Sequence, residues 1–489
     1  MRRTRAVSGC LVLLICFSAL ERNAGARGPS PLAVAIEKIL SREVFAPALV
    51  AIDIRDLDTG KVLFERNAAM NVKPASTMKL FTTAAILDAE GGEGWKGETT
   101  VETEGRLDSF GRILGDVHLV GRGDPNLSDR VEWGDQKSPF DRLALDLRAA
   151  GVTRIEGRLI GHDGLFPDGA VPDGWTADDL VWSYGAEISA LSAFDNKLEL
   201  KLEPGELEGD AARLAQMPAT GFMRIESRVT TGAAGAVRNL RLTRALGTRQ
   251  VIIEGAIPLL GEAWSGSVAT PEPALFATTL LAEALARQGI TVRDAPEVSK
   301  GAVPAGMRSM ASLRGPDVGE QIRIINKESQ NLHAETLLRR LGLDKFGDGS
   351  VAAGLRAREE FLRRQNVRTD NTAMADGSGL SRVDLVTARA EVDLLVAMAH
   401  HPQAKAFRDS LPIAGVDGTL KDRMKGARTE GRVFAKTGSL RHVNALAGYV
   451  DAVSGRHLVF AIVVNHHTRP PREAAEAMDE ICALLAALK

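Results

Sequence analysis

Lys73-Pro74-Ala75-Ser76-Thr77-Met78-Lys79-Leu80-Phe81-Thr82-Thr83-Ala84-Ala85 sets a hydroxyl and an amine three residues apart at the start of an apolar, helix-like run. Positions i and i+3 share a helix face, so the Lys79 amine reaches the Ser76 oxygen, and a helix amino terminus favours negative charge developing there. Pro74 stands where its missing N–H costs nothing, and Met78, Phe81, Ile86 and Leu87 form an apolar stripe that ends at Gly91-Gly92. This is one way for a serine to gain a base without a histidine. Taken alone, the pair is better explained as the polar first turn of an ordinary helix, with its lysine in solvent.

The flanking sequence builds a fold around that helix. Pro31 to Phe45 reads as a helix, Ala48 to Arg55 alternates as a strand, and Asp58-Thr59-Gly60 turns the chain into Lys61 to Glu65 to complete a hairpin. From about Trp95 to Arg314 short strand-like runs alternate with Gly, Pro and Asp, as in Gly115 to Gly121 and Gln250 to Gly255. Helical periodicity returns near Leu275 to Gln288 and dominates from Ser329, through Val351 to Arg364 and Ala388 to Ala399. Strand-like runs at Arg432 to Thr437, Val443 to Asp451 and His457 to Asn465 precede a closing helix at Arg472 to Lys489. The expected fold is α/β (α+β): an antiparallel sheet flanked by helices and assembled from both chain ends, interrupted by a large, mainly β insertion. The expected division is 1–26 as a targeting segment, 27–94 with 315–489 as one domain, and 95–314 as the insertion, with room for two nested subdomains.

Composition narrows the function. The chain has 489 residues, enough for a sizeable core, only 4% aromatics, and a formal charge of −2 without long runs of either sign, so a nucleic-acid partner is not expected. Arg2, Arg3 and Arg5 precede an apolar run from Val7 to Leu20 and the small residues Asn23-Ala24-Gly25-Ala26, the order of a cleaved export signal. The run is shorter than the roughly 20 residues that span a bilayer, so a periplasmic or otherwise exported protein without a lasting membrane span is expected. Cleavage would leave Cys482 as the only cysteine, a core thiol rather than half of a disulfide. The nine histidines include no metal-binding His-Glu-x-x-His pattern, and neither metal nor cofactor is expected.

Two later motifs change the reading of Ser76 and Lys79. Ser329-Gln330-Asn331 stands just before a helical run, and Lys436-Thr437-Gly438 ends a β-rich one. Each alone is a helix cap or a strand-end turn. In the order Ser-x-x-Lys, Ser-x-Asn, Lys-Thr-Gly they match the signature of penicillin-recognising serine enzymes. With roughly half the chain between Ser76 and Ser329, the sequence resembles the class C low-molecular-mass penicillin-binding proteins, the D-alanyl-D-alanine carboxypeptidases and endopeptidases that carry a large insertion after the serine helix. The segments Gly121 to Leu127, Asp376-Gly377-Ser378-Gly379-Leu380-Ser381-Arg382 and Leu411 to Leu420 extend the resemblance over essentially the whole chain after the signal. Gln330 departs from it, since relatives often have aspartate there.

The resemblance implies a β-lactamase/transpeptidase-like domain and hydrolysis of peptidoglycan stem peptides ending in D-Ala-D-Ala, with β-lactams as covalent inhibitors. Ser76 would be the nucleophile and Lys79 its base, neutral at the moment of attack because burial and a second cation, Lys436, lower its pKa. Ser329 would relay a proton to the leaving amine, and Asn331 would orient Lys79 or the substrate amide. Lys436 and Thr437 would bind the terminal carboxylate, within the substrate-binding run Lys436-Thr437-Gly438-Ser439, and the N–H groups of Ser76 and Ser439 would form the oxyanion hole. Gly377-Ser378-Gly379 is expected to be a tight turn and not a second nucleophile, and His333 a surface or packed residue. A β-lactamase or esterase of the same fold, and a catalytically weak cell-wall-binding protein, are the alternatives.

Overall fold

The computed structural model describes residues 30–90, 96–136 and 138–489, so the expected signal, the Gly91-Gly92 helix stop and the expected boundary at 94–95 lie outside the described residues. One five-stranded antiparallel sheet organises both chain ends. Its order is Val433–Leu440, Val443–Asp451, His457–Asn465, Leu49–Asp56, Val62–Arg66. The joint between the ends is a full-length pairing, from Leu49 opposite Asn465 to Asp56 opposite Leu458.

The sheet is buried on both faces, which explains why its central strands read as continuous apolar runs rather than alternating ones. The two faces differ in side-chain size. Ile52, Ile54, Leu446, Phe460 and Ile462 point to the face covered by the terminal helices Pro31–Leu40 and Pro471–Ala486, where Cys482 is a buried free thiol. Ala51, Ala445, Ala447 and Ala461 line the opposite face, together with Val463 and Tyr449. Small side chains there let helix Ala388–Ala399 pack closely on the sheet, with the Ala75–Thr77 turn against strands Val433–Leu440 and Val443–Asp451, and that turn leads into the serine helix, Met78–Glu90.

That helix is enclosed on every side, not along one stripe, because Val318–Lys327, Asn331–Phe346, Val351–Arg364 and Ala388–Ala399 pack around it. Its buried hydroxyls are satisfied: Thr83 Oγ1 donates to Lys79 O (2.7 Å) and Thr82 Oγ1 to Gly377 O (2.8 Å).

The middle of the chain has its own apolar core. Strand Lys96–Thr103 pairs with Arg308–Asp317 in a second five-stranded sheet, so the chain leaves and rejoins the catalytic half side by side. The expected boundary at 314–315 falls inside strand Arg308–Asp317, which leads directly into helix Val318–Lys327. One four-stranded sheet, two three-stranded sheets and helices Pro139–Ala149 and Pro273–Arg287 complete this part.

Candidate active site

Ser76 lies in a single 3-10 turn, Ala75–Thr77, that feeds the serine helix. Ala75 has φ +51°, a conformation costly for a residue with a Cβ and characteristic of strained functional turns. Two glycines let neighbouring chain close over the turn. A Cβ on Gly438 would stand 2.6 Å from Pro74 O, and one on Gly379, at φ +79°, would stand 1.8 Å from Ala75 O. The glycine of Lys-Thr-Gly therefore permits close approach and does not end its strand, which continues to Leu440.

Lys79 is fully buried, and its Nζ meets three oxygens: Ser76 Oγ at 2.9 Å, Asn331 Oδ1 at 2.6 Å and Ser378 O at 2.6 Å. A neutral amine has two N–H bonds and one lone pair. Asn331 Oδ1 and Ser378 O can only accept, so they take the two N–H bonds, and the lone pair is left facing the Ser76 hydroxyl. Burial lowers the Lys79 pKa to about 7, against the opposing pull of Asp376, Glu335 and Asp384. The expectation that a second cation shares this lowering is revised. Desolvation is the cause at Lys79, and repulsion between the two lysines adds to the burial that holds Lys436 well below its ordinary value.

Lys436, also fully buried, donates to Ser329 Oγ (2.9 Å) and to Thr437 O (2.8 Å). It thus touches the cleft through Ser329 and is not itself on the wall. Ser329 has φ +62°, another left-handed non-glycine residue at the site. Thr437 Oγ1 donates to Thr419 Oγ1 at 2.8 Å, which ties the strand to the Gly418–Leu420 turn. Asn331 is divided between two neighbours, since its Nδ2 donates to Tyr184 O (2.7 Å) in the insertion. Gln330 caps helix Asn331–Phe346 by accepting from Leu332 N at 3.1 Å, a task its amide oxygen performs as an aspartate would.

Ser76, Ser329, Asn331 and Ser439 open on a cleft of about 760 Å³, whose far wall includes Tyr184 and Arg382. Strand Val433–Leu440 is the sheet edge on this side. Ala435 N–H points outward from the sheet, to Pro412 O (3.0 Å), and the two-residue period turns Ser439 N–H to the same side. Ser378 is buried, with Oγ donating to Asp376 Oδ2 (3.1 Å), so Gly377-Ser378-Gly379 is a packed turn beneath the cleft.

Several contributing groups lie outside the three motifs. Tyr184 O and Trp175 Nε1, which donates to Asp376 Oδ2 (3.0 Å), come from the insertion and carry no motif signal. Glu335 stands one helical turn after Asn331, and its i, i+4 spacing is the one clue that it shares Asn331's face. His333 is fully buried and meets Asp195 Oδ1 at 3.1 Å, while Asp195 is gripped by Arg130 through two 2.9 Å bonds. Hydrogen bonds from His333 and Arg130, with their charges, hold the Asp195 carboxyl far below its ordinary range in spite of burial. Arg130 also pairs with Glu328, the residue before Ser329, at 2.9 Å. Asp195→Ala strands these partners and is expected to cost on the order of 3 kcal/mol, read as a lower urea midpoint.

The family model described as the D-Ala-D-Ala carboxypeptidase 3 (S13) family matches residues 32–485. A D-alanyl-D-alanine carboxypeptidase of Actinomadura sp. (strain R39) is 36% identical over 97% of this chain and 88% of that protein. The D-alanyl-D-alanine carboxypeptidase DacB of Haemophilus influenzae is 23% identical over 85% of each. The crystal structure of penicillin binding protein 4 (dacB) from Haemophilus influenzae superposes with a TM-score of 0.78 at 21% identity, covering 92% of this chain and 98% of that one. Among the described residues no helix is long and apolar enough to cross a membrane.

Proposed function

The chain belongs to the D-Ala-D-Ala carboxypeptidase 3 (S13) family, and from that premise we propose that Ser76 is acylated by the penultimate D-alanine of peptidoglycan stem peptides, with Lys79 as the base. The enzyme is a serine-type D-Ala-D-Ala carboxypeptidase. The observation that carries the residue assignment is the lone pair of Lys79, left facing Ser76 Oγ at 2.9 Å while Asn331 and Ser378 hold its N–H bonds.

As Ser76 Oγ attacks the carbonyl carbon of the D-Ala-D-Ala bond, its proton passes to neutral Lys79. The carbonyl oxygen becomes an oxyanion between the N–H groups of Ser76 and Ser439. Collapse breaks the C–N bond: Ser329, held by Lys436, hands its proton to the departing D-alanine amine and takes in its place the proton Lys79 removed from Ser76, which returns Lys79 to its neutral form. The terminal carboxylate of that D-alanine lies by Thr437 and Ser439, in the field of Lys436. Water then hydrolyses the ester, again with Lys79 as base. A β-lactam enters by the same route, but its cleaved amine stays tethered. The carboxylates nearest Lys79, Glu335, Asp376 and Asp384, are buried beneath it and away from the cleft, which supports slow release of that acyl group.

Incubation with a labelled penicillin is expected to place one adduct on the tryptic peptide Asn67–Lys79, the Lys73-Pro74 bond resisting cleavage. An adduct confined to another peptide overturns the nucleophile. Dimeric muropeptides in the same assay read the balance between terminal D-alanine release and crosslink cleavage, the endopeptidase activity proposed beside the first. Export is proposed from the signal-like residues 1–26, and mass spectrometry of the amino terminus after expression in a bacterium tests it, an intact Met1 being the contrary result.

A further inference from the structure

Two of the three groups that hold Lys79 Nζ belong to recognised motifs, and the third is a main-chain carbonyl, Ser378 O. A carbonyl orients a base only as well as its own peptide is held. Glu335 Oε1 accepts from both Gly377 N (2.9 Å) and Ser378 N (2.8 Å), so one carboxylate oxygen grips two consecutive peptides next to that carbonyl. Asp376 holds the carbonyl's own peptide, accepting from Gly379 N (2.7 Å), and it also accepts from Ser378 N (3.1 Å) and Ser381 N (2.8 Å). Helix Asn331–Phe346 therefore bears on two of Lys79's three partners, Asn331 directly and Ser378 through Glu335, which shares the Ser378 loop with Asp376.

Glu335 is fully buried, and its Oε2 has no partner. Enclosing a carboxylate with an idle oxygen is expensive, and a neutral acceptor would serve the two peptides equally well. What the carboxylate adds is negative charge next to the amine. We infer that Glu335 is a positioning residue for the acylation step: together with Asp376 it holds the loop whose Ser378 carbonyl aims the Lys79 lone pair, and its charge keeps Lys79 basic enough to take the serine proton. This inference rests on the reading of Lys79 as the base.

The other charged groups around the pair are accounted for. Asp384, pushed up to about 9 by burial and by Asp376, keeps its proton near neutrality. Arg358 donates to Asp376 O (2.8 Å) and to Thr82 Oγ1 (3.0 Å), and Arg339 lies on Glu335's own helix and favours its ionised form. Lys436 stands on the sheet side. Burial and Asp376 push Glu335 itself up to about 7, so its charge changes over the same pH range as that of Lys79.

The test is the pH profile of acylation by a fluorescent penicillin for the wild type, Glu335→Gln, Glu335→Ala and Lys79→Met. Glu335→Gln keeps an acceptor for the two N–H groups but removes the charge. It is expected to hold the alkaline plateau within about threefold and to move the acid limb about one pH unit lower, because Lys79 gives up its proton more easily. Glu335→Ala also frees Gly377 N–H and leaves Ser378 N–H to Asp376 alone, and it is expected to lower the plateau about 10- to 100-fold. An unmoved acid limb in Glu335→Gln overturns the inference, even if the melting temperature falls, since a purely structural role changes stability without moving that limb. If Glu335→Ala does not fold, the Gln variant decides. Wild-type acylation by Lys79→Met overturns instead the reading of Lys79 on which the inference stands.

Discussion

Ser76→Ala is expected to lower both D-alanine release and penicillin acylation by about four to six orders of magnitude, with the fold intact. The side chain lost is one hydroxyl whose contact is with Lys79, and Lys79 keeps Asn331 and Ser378 as partners. The turn stays anchored by Thr77 Oγ1, which meets Pro74 O at 2.9 Å and the Glu391 carboxyl, its single proton serving one of the two. No neighbouring serine replaces it. Ser378 is buried against Asp376, and Ser329 Oγ is occupied by Lys436. Ser439 stands on the cleft rim at the sheet edge and, among the described residues, has no lysine hydrogen-bonded to its hydroxyl. The check is single-turnover labelling with penicillin alongside thermal unfolding. A variant that melts like the wild type yet still forms a stable adduct at a wild-type rate would remove Ser76 from the mechanism.

The sheet was legible because its physics is local. His457 to Asn465 is apolar almost throughout, since both faces are covered, and the Ser454-Gly455 turn marks where it begins. The joining of the two chain ends followed from counting strands on either side of the serine helix. The Lys-Thr-Gly strand was read as stopping at Thr437, because glycine usually punctuates a strand. Its pairing in fact runs on through Gly438 opposite Ala445 to Leu440 opposite Val443, and the glycine is needed for contact with Pro74 O. Helix Pro139–Ala149 lies outside the segments expected to be helical, in a glycine- and aspartate-rich stretch, although Ser138 and Pro139 are ordinary helix-start residues.

At the site, short motifs disclosed the groups that face substrate but not those that face the motifs. Ser76, Lys79 and Asn331 form one hydrogen-bonded cluster and Ser329 with Lys436 a second, and both open on the same cleft. Glu335 lies one helical turn after Asn331, a spacing that shows a shared face but no role, while Asp376 and the Tyr184 carbonyl come from a loop and the insertion, where no spacing rule links positions so distant in sequence. The cause of the low Lys79 pKa was likewise invisible. Charge can be read from a sequence, whereas complete burial of an amine depends on the four helices and the sheet around it.

That burial carries the second large expected effect. Lys79→Met, which keeps the length of the side chain and removes the amine, is expected to slow acylation by about 10² to 10⁴. The pH dependence identifies the reason. With a Lys79 pKa of about 7, the wild-type amine is an ammonium below that pH and its lone pair is unavailable, so the acylation rate should fall about tenfold per pH unit toward acid and level off above it. The Met variant should show no such limb. Stability supplies an independent reading of the same proton. The folded pKa lies below the 10.5 of a free lysine, so between about 7 and 10.5 the unfolded chain binds a proton that the native chain has released. Stability from this group therefore rises with pH across that window, and its full cost is felt below about 7. Urea unfolding of the two proteins at several pH values should show the wild type gaining on the variant as pH rises. A difference that does not change with pH would mean that Lys79 stays charged in the folded protein and cannot take the serine proton, whatever the activity of the variant.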